Sequence, residues 1–244
     1  MKPDASHFTK AAGAPPSPEA LSGIILGAFA FQLIFLTIAA FQNHDALNTD
    51  GIAYLRIASY CANGQTDLMV SGYWGPLLSW MMVPSIKAGA SAIIAARIAM
   101  ALSGAVFLLG CRAVFRAFDI DRATQAVGIW IAAATSVFWS VRNITPDLLL
   151  AGLMGLAIAA LTKKDWLDSR RGAALAGVFW GLAYLAKAVA FPLAILVSGA
   201  FAALFRITGL ANTKQAARQL AVTLAAFACV AAPWVTALSM KYGG

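Results

Sequence analysis

Two carboxylates and three cations stand apart from the long apolar runs of this chain. Asp50 lies in Asn48-Thr49-Asp50-Gly51, and Asp147 in Arg142-Asn143-Ile144-Thr145-Pro146-Asp147. Arg97, Arg142 and Lys187 are the cations that the hydrophobic pattern brings to the same side. Ionisable groups in or beside a bilayer are costly, so each is a candidate for function. A carboxylate can take the proton from an attacking hydroxyl, while Arg or Lys stabilises charge on a departing phosphate. Carboxylates facing fixed cations at a membrane surface therefore suit transfer from a lipid-phosphate leaving group. Plainer readings exist for each residue. Asn, Thr, Asp and Gly together suit a turn or helix start at Asp50, and Thr145, Pro146 and Asp147 spell a helix N-terminus. Lys187 can snorkel, and Arg97 can pair with an acid. Their conjunction on one membrane face favours chemistry.

The elements that must position these groups follow from composition. Of 244 residues, 61% are hydrophobic and 11% charged, whereas soluble globular chains carry about 25% charged residues. With a mean hydropathy of +0.76, an ordinary soluble enzyme is excluded. A transmembrane helix needs about 20 mostly apolar residues, so this length predicts one all-α, polytopic membrane module of about seven crossings. Residues 1–20 are rich in Pro, Ala and Ser and are expected to form a disordered tail ahead of the 21–244 module. Apolar runs at Leu21–Phe41, Ala88–Cys111, Ala123–Val141, Pro146–Leu161 and Leu220–Val235 each predict a crossing, the last closed by Pro233-Trp234. Gly172–Phe205 carries one charge, Lys187. As a single helix it would be about 51 Å long against a hydrocarbon core of about 30 Å, so two helices turning near Lys187–Pro192 are expected.

The segment between the first two crossings, residues 42–87, is an amphipathic loop carrying Tyr54, Arg56, Tyr60, Tyr73, Trp74 and Trp80. Aromatics of this kind favour the membrane interface and would hold a lipid headgroup at the required depth. Twelve of the eighteen Lys and Arg residues fall in alternate connections, including Arg112, Arg116, Lys163, Lys164, Arg170 and Arg206. The positive-inside rule then sets the N-terminus in the cytoplasm, with the 42–87 loop, Arg142–Asp147, Lys187 and the C-terminus outside. A multi-pass protein of the cell (inner or plasma) membrane is implied.

The formal charge of +8 is thereby mostly topogenic. Because the basic residues lie between apolar runs and not on one solvated face, nucleic acid is excluded as a partner. Cys61, Cys111 and Cys229 are isolated, with no partner at metal-ligand spacing, and read as unpaired apolar residues. Two outer acids could hold a divalent ion but are too few to argue one, so no cofactor is expected. A transporter would show broken helices in paired repeats, and no such repeat is evident.

Taken in order, Asp50-Gly-Ile-Ala-Tyr54, Gly72-Tyr-Trp-Gly-Pro76-Leu77, Ala95-Ala-Arg97, Arg142-Asn-Ile-Thr-Pro-Asp147 and Gly181-Leu-Ala-Tyr-Leu-Ala-Lys187 resemble the GT-C membrane glycosyltransferases. The pattern is similar to the branch of the dolichyl-phosphate-mannose protein mannosyltransferases and the lipid A aminoarabinose transferases, over residues 21–244. The resemblance implies an inverting glycosyltransferase that moves a sugar from a polyprenyl-phosphate donor to a lipid, glycan or protein acceptor. It assigns catalytic roles to Asp50 and Asp147. Tyr54, Arg56, Trp74, Arg97, Arg142 and Lys187 are the candidates for substrate and phosphate binding. Trp74-Gly75-Pro76-Leu77 stands where some members read Lys-Pro-Pro-Leu, so Arg56, Arg97 or Arg142 would take over that lysine's phosphate contact. Family members usually continue into further helices and an outer domain beyond the point reached at Gly244. A non-catalytic membrane subunit that binds lipid phosphate or a membrane protein partner is the alternative expectation.

Overall fold

The most uniformly apolar segment of the chain, DLLLAGLMGLAIAALT, forms the helix at the centre. A helix that is hydrophobic all round has no polar face to offer water and is placed inside a bundle. This is α7, Asp147–Thr162, and Leu148, Leu149, Leu153, Ala157 and Leu161 along it are all buried. In chain order it follows α1 (Pro18–Gln42), α2 (Thr49–Ala62), α3 (Thr66–Met69), α4 (Leu77–Lys87), α5 (Ala92–Ala117) and α6 (Arg122–Arg142). After it come α8 (Arg170–Ala186), α9 (Ala190–Ile207) and α10 (Thr213–Tyr242). The structure is a computed structural model that describes residues 17–42, 47–162, 166–167 and 169–243. The expected tail lies mostly outside the described residues, as do Lys163 and Lys164.

The chain is an all-helical polytopic membrane protein, with no strand among the described residues. Helices α1, α5, α6, α9 and α10 are long and apolar enough to cross a bilayer. Helices α7 and α8 have 16 and 17 residues and reach only about 24–26 Å at 1.5 Å per residue. Both are enclosed by the longer helices: α5 packs on α7, α7 on α8 and α8 on α10, while α1 packs on α6. Small side chains let these backbones approach. Gly177 and Gly181 of α8 face α10, where an added Cβ would stand 2.8 Å from Ala226 and 2.6 Å from Val230.

Two boundaries differ from the sequence pattern, and one follows it. Helix α1 begins at Pro18, inside the expected tail, because Ser17 accepts the Ala20 amide at 3.2 Å and proline suits the first helical position. The long Gly172–Phe205 run does break, at Lys187-Ala188-Val189, as its length required. Pro233 does not close the last crossing: α10 continues through it to Tyr242. Proline removes one helical hydrogen bond but is tolerated inside membrane helices, where local adjustments re-satisfy the freed carbonyl.

Candidate functional site

Asp50 and Asp147 occupy the same place in their respective helices, the first turn of α2 and of α7. Negative charge is favoured there by the exposed amides of the helix end. Helix turns alone would leave the two carboxylates unrelated, but the loops draw α2 against the segment between α6 and α7. Asn48 Oδ1 accepts the Ile144 amide at 2.8 Å, and Gly51 is buried against this contact. A Cβ at Gly51 would come within 2.7 Å of Asn48 Oδ1 and 3.0 Å of Ile144 Cβ, so only glycine fits the approach.

Tyr54 connects the carboxylates. One turn beyond Asp50 on the same face of α2, it is 3% exposed and packs with Leu78, Met82, Ile144 and Leu148. Burial pushes its phenol well above the ordinary value, and the charges of Asp147 and then Asp50 push it further. Tyr54 is thus a neutral hydroxyl within the field of both acids. Its ring meets Trp74 edge-on at 5.1 Å, and Trp74 meets Tyr73 at 4.6 Å. Ser71 Oγ accepts the amides of Tyr73 and Trp74 at 3.3 and 3.2 Å and so fixes this loop.

Lys187 closes the arrangement. It stands at the break between α8 and α9, and its Nζ donates to Asp147 Oδ1 at 2.7 Å. Both side chains remain open to solvent, Lys187 by 50% and Asp147 by 36%. The Trp74-Gly75-Pro76 loop passes directly over the end of α8, where a Cβ on Gly75 would lie 2.6 Å from the Leu185 carbonyl oxygen. Five of the expected residues therefore converge: Asp50, Tyr54, Trp74, Asp147 and Lys187.

The arginines are placed differently. Arg56 is two residues beyond Tyr54, about 200° around α2, and donates to the Tyr60 hydroxyl at 3.2 Å. Arg97 Nη1 donates to the carbonyls of Ser140 and Val141 at 3.1 and 3.3 Å, satisfying the last turn of α6. Arg142 lies over the Phe138 ring, 4.0 Å from its centroid. Each of the three is engaged in a local contact that the spacing of cations along the sequence does not show.

Sequence reasoning missed several supporting residues. Ser79 Oγ donates to the Tyr54 carbonyl at 3.0 Å. Lys241 Nζ donates to the carbonyls of Asp67 and Val70, the latter at 2.7 Å, and the Tyr242 hydroxyl accepts the Gly72 amide at 3.4 Å. The far end of α10 thereby holds the loop that carries Trp74. A lone lysine near a chain end gives no signal of such a contact. Among the described residues, no group of three or more His, Cys, Asp or Glu is gathered that could hold a metal ion.

No protein-family model matches this chain, and no curated protein sequence does. Among solved structures, the chain is similar to ArnT from Cupriavidus metallidurans, whose crystal structure was determined bound to undecaprenyl phosphate. The two superpose with a TM-score of 0.62 at 19% sequence identity, over 91% of this chain. The match spans 42% of the ArnT chain. What the two share is the fold.

Proposed function

We propose that this protein is a membrane glycosyltransferase that takes a sugar from a polyprenyl-phosphate donor and passes it to an acceptor hydroxyl at the α2–α4 end, the outer face. The observation that carries the reading is the convergence of Asp50, Asp147 and Lys187 around Tyr54, on a fold shared with a protein solved with undecaprenyl phosphate. Asp50, exposed and in a helix first turn, takes the proton of the acceptor hydroxyl as the oxygen attacks the anomeric carbon. The bond from that carbon to the phosphate oxygen breaks on the opposite face, and polyprenyl phosphate leaves with the electron pair. The sugar is inverted. Lys187, held by Asp147 at 2.7 Å, stabilises charge on the leaving phosphate. Tyr73 and Trp74, backed by the buried Tyr54, form the aromatic wall against which the reactants lie.

A second reading rests on the Asp147–Lys187 pair. Each group neutralises the other, which suits a module that binds lipid phosphate by exchanging Asp147 for phosphate on Lys187 without transferring sugar. One experiment separates the two. Protein reconstituted in vesicles with radiolabelled polyprenyl-phosphate sugars and a mixed lipid acceptor pool is expected to yield labelled acceptor of inverted configuration, and Asp50→Asn to abolish it. Undiminished transfer by Asp50→Asn sinks the assignment of the base. Saturable donor binding without product, in the wild type, establishes the binding module instead.

A further inference from the structure

Asn48 stands at the capping position of α2 with extended backbone, φ −84° and ψ 159°. Asparagine is among the best residues for accepting the free amides of a helix start, yet its side chain makes no such bond here. Its Oδ1 is used instead on the Ile144 amide, 96 residues away at 2.8 Å. Every neighbour of this bond is fitted to it. Gly51 has no Cβ that would strike Oδ1, and Ile144 is 1% exposed in the same cluster as Tyr54 and Leu55. On the far side of Ile144, Thr145 Oγ1 accepts the Trp139 indole N–H at 3.1 Å. The short segment from α6 to α7 is thus fixed by side chains on both sides of its peptide groups. Asp50 follows Asn48 by two residues, and Asp147 follows Ile144 by three.

We propose that Asn48 is a positioning residue: its hydrogen bond to the Ile144 main chain sets the spacing between Asp50 and Asp147. The role rests on the transfer reaction proposed above, in which both carboxylates act on one substrate. A side chain that merely stabilised α2 would cap it, and this one does not. Chemistry between fixed groups is sensitive to placement, since a displacement of about 1 Å can cost on the order of 100-fold in rate.

The test compares Asn48→Ala, which removes the acceptor, with Asn48→Asp, which keeps an oxygen at the same place. Amide hydrogen exchange at Ile144 and the kinetics of sugar transfer are measured on both, with thermal midpoints as a control for folding. The expected result for Asn48→Ala is faster exchange at Ile144 and a kcat lower by about 10- to 100-fold, with donor KM within twofold and a still cooperative unfolding transition whose midpoint falls only as far as one stranded amide requires. Asn48→Asp is expected to restore both protection and kcat to within a few-fold of wild type. Unchanged Ile144 exchange in Asn48→Ala overturns the proposal, and so does deprotection with full kcat. A wild type that transfers no sugar refutes the reading beneath it before any variant is made. Exchange at Ile144 and in the first turn of α2 then still decides whether Asn48 fixes the geometry.

Discussion

The two ends of the helix bundle use polar side chains in opposite ways. At the end away from α2–α4, Gln215 and Gln219 both donate to the Leu167 carbonyl, at 3.0 and 2.7 Å. Beside them Thr223 donates to the Ala173 carbonyl at 3.1 Å and accepts the Trp166 indole N–H at 3.2 Å. Gln219, Thr223 and Trp166 are buried. These groups carry no charge and, Gln215 apart, are buried, and they join α8 and α10 to the connection after α7. At the α2–α4 end Asp147 and Lys187 form an ion pair that stays 36% and 50% exposed. Uncharged partners buried between helices hold a fold together. An ion pair kept open to solvent beside aromatic rings adds little to packing or stability, which leaves its charges available for the substrate role proposed above.

The contrast is sharpened most by removing the cation. Lys187→Met leaves Asp147 without its partner and any bound phosphate without this positive charge. Loss of one such electrostatic donor typically lowers kcat by about 100- to 1,000-fold, and that range is expected in the vesicle transfer assay. Because both side chains are substantially exposed, the thermal midpoint should hardly move. A variant that keeps its kcat while losing stability would turn the pair into a structural tie and erase the distinction between the ends.

The opposite end should answer in the reverse sense. Thr223→Val preserves shape but strands the indole N–H of Trp166 in the interior, and a buried donor left unpaired costs about 1–3 kcal/mol. A lower unfolding midpoint is expected, with transfer per folded molecule unchanged. Reduced kcat at full stability would show that the two ends are coupled and that the division drawn above is wrong.

How much of this is visible along the sequence depends on whether the signal is local. The crossings are legible because every long helix carries its own apolar run, and the break at Lys187 follows from length alone. Pro233 misleads because its usual meaning, a helix end, belongs to helices in water. Asp147 and Lys187 can be assigned to one face by topology, but 40 residues separate them and nothing local announces a 2.7 Å ion pair. Arg97 is similar. As a cation beside an outer loop it suggests phosphate, whereas in space it meets the carbonyl ends of α6. Asn48 hides best, since Asn before Thr-Asp spells an ordinary helix cap and its actual partner is 96 residues away.

Tyr54 tests the comparison most tightly, being a buried polar group at the open end. Its phenol stays neutral in the folded protein well past the pH at which an unfolded tyrosine ionises, ordinarily 10.0. Folding stability from this group is therefore complete below pH 10 and is lost as pH rises above it, because only the unfolded chain then releases the proton. At pH 11 the loss amounts to about 1 kcal/mol, one pH unit of linkage. Tyr54→Phe has no proton to release and should lack this increment, so the fall in unfolding midpoint between pH 9 and pH 11 should be smaller than in wild type. The Ser79 bond, made to the main-chain carbonyl, survives the substitution. If both proteins lose the same stability over this interval, Tyr54 is in contact with water and the two carboxylates share no buried hydroxyl. The open end would then have no interior of its own, and the phenol would be one more solvated group among its charges.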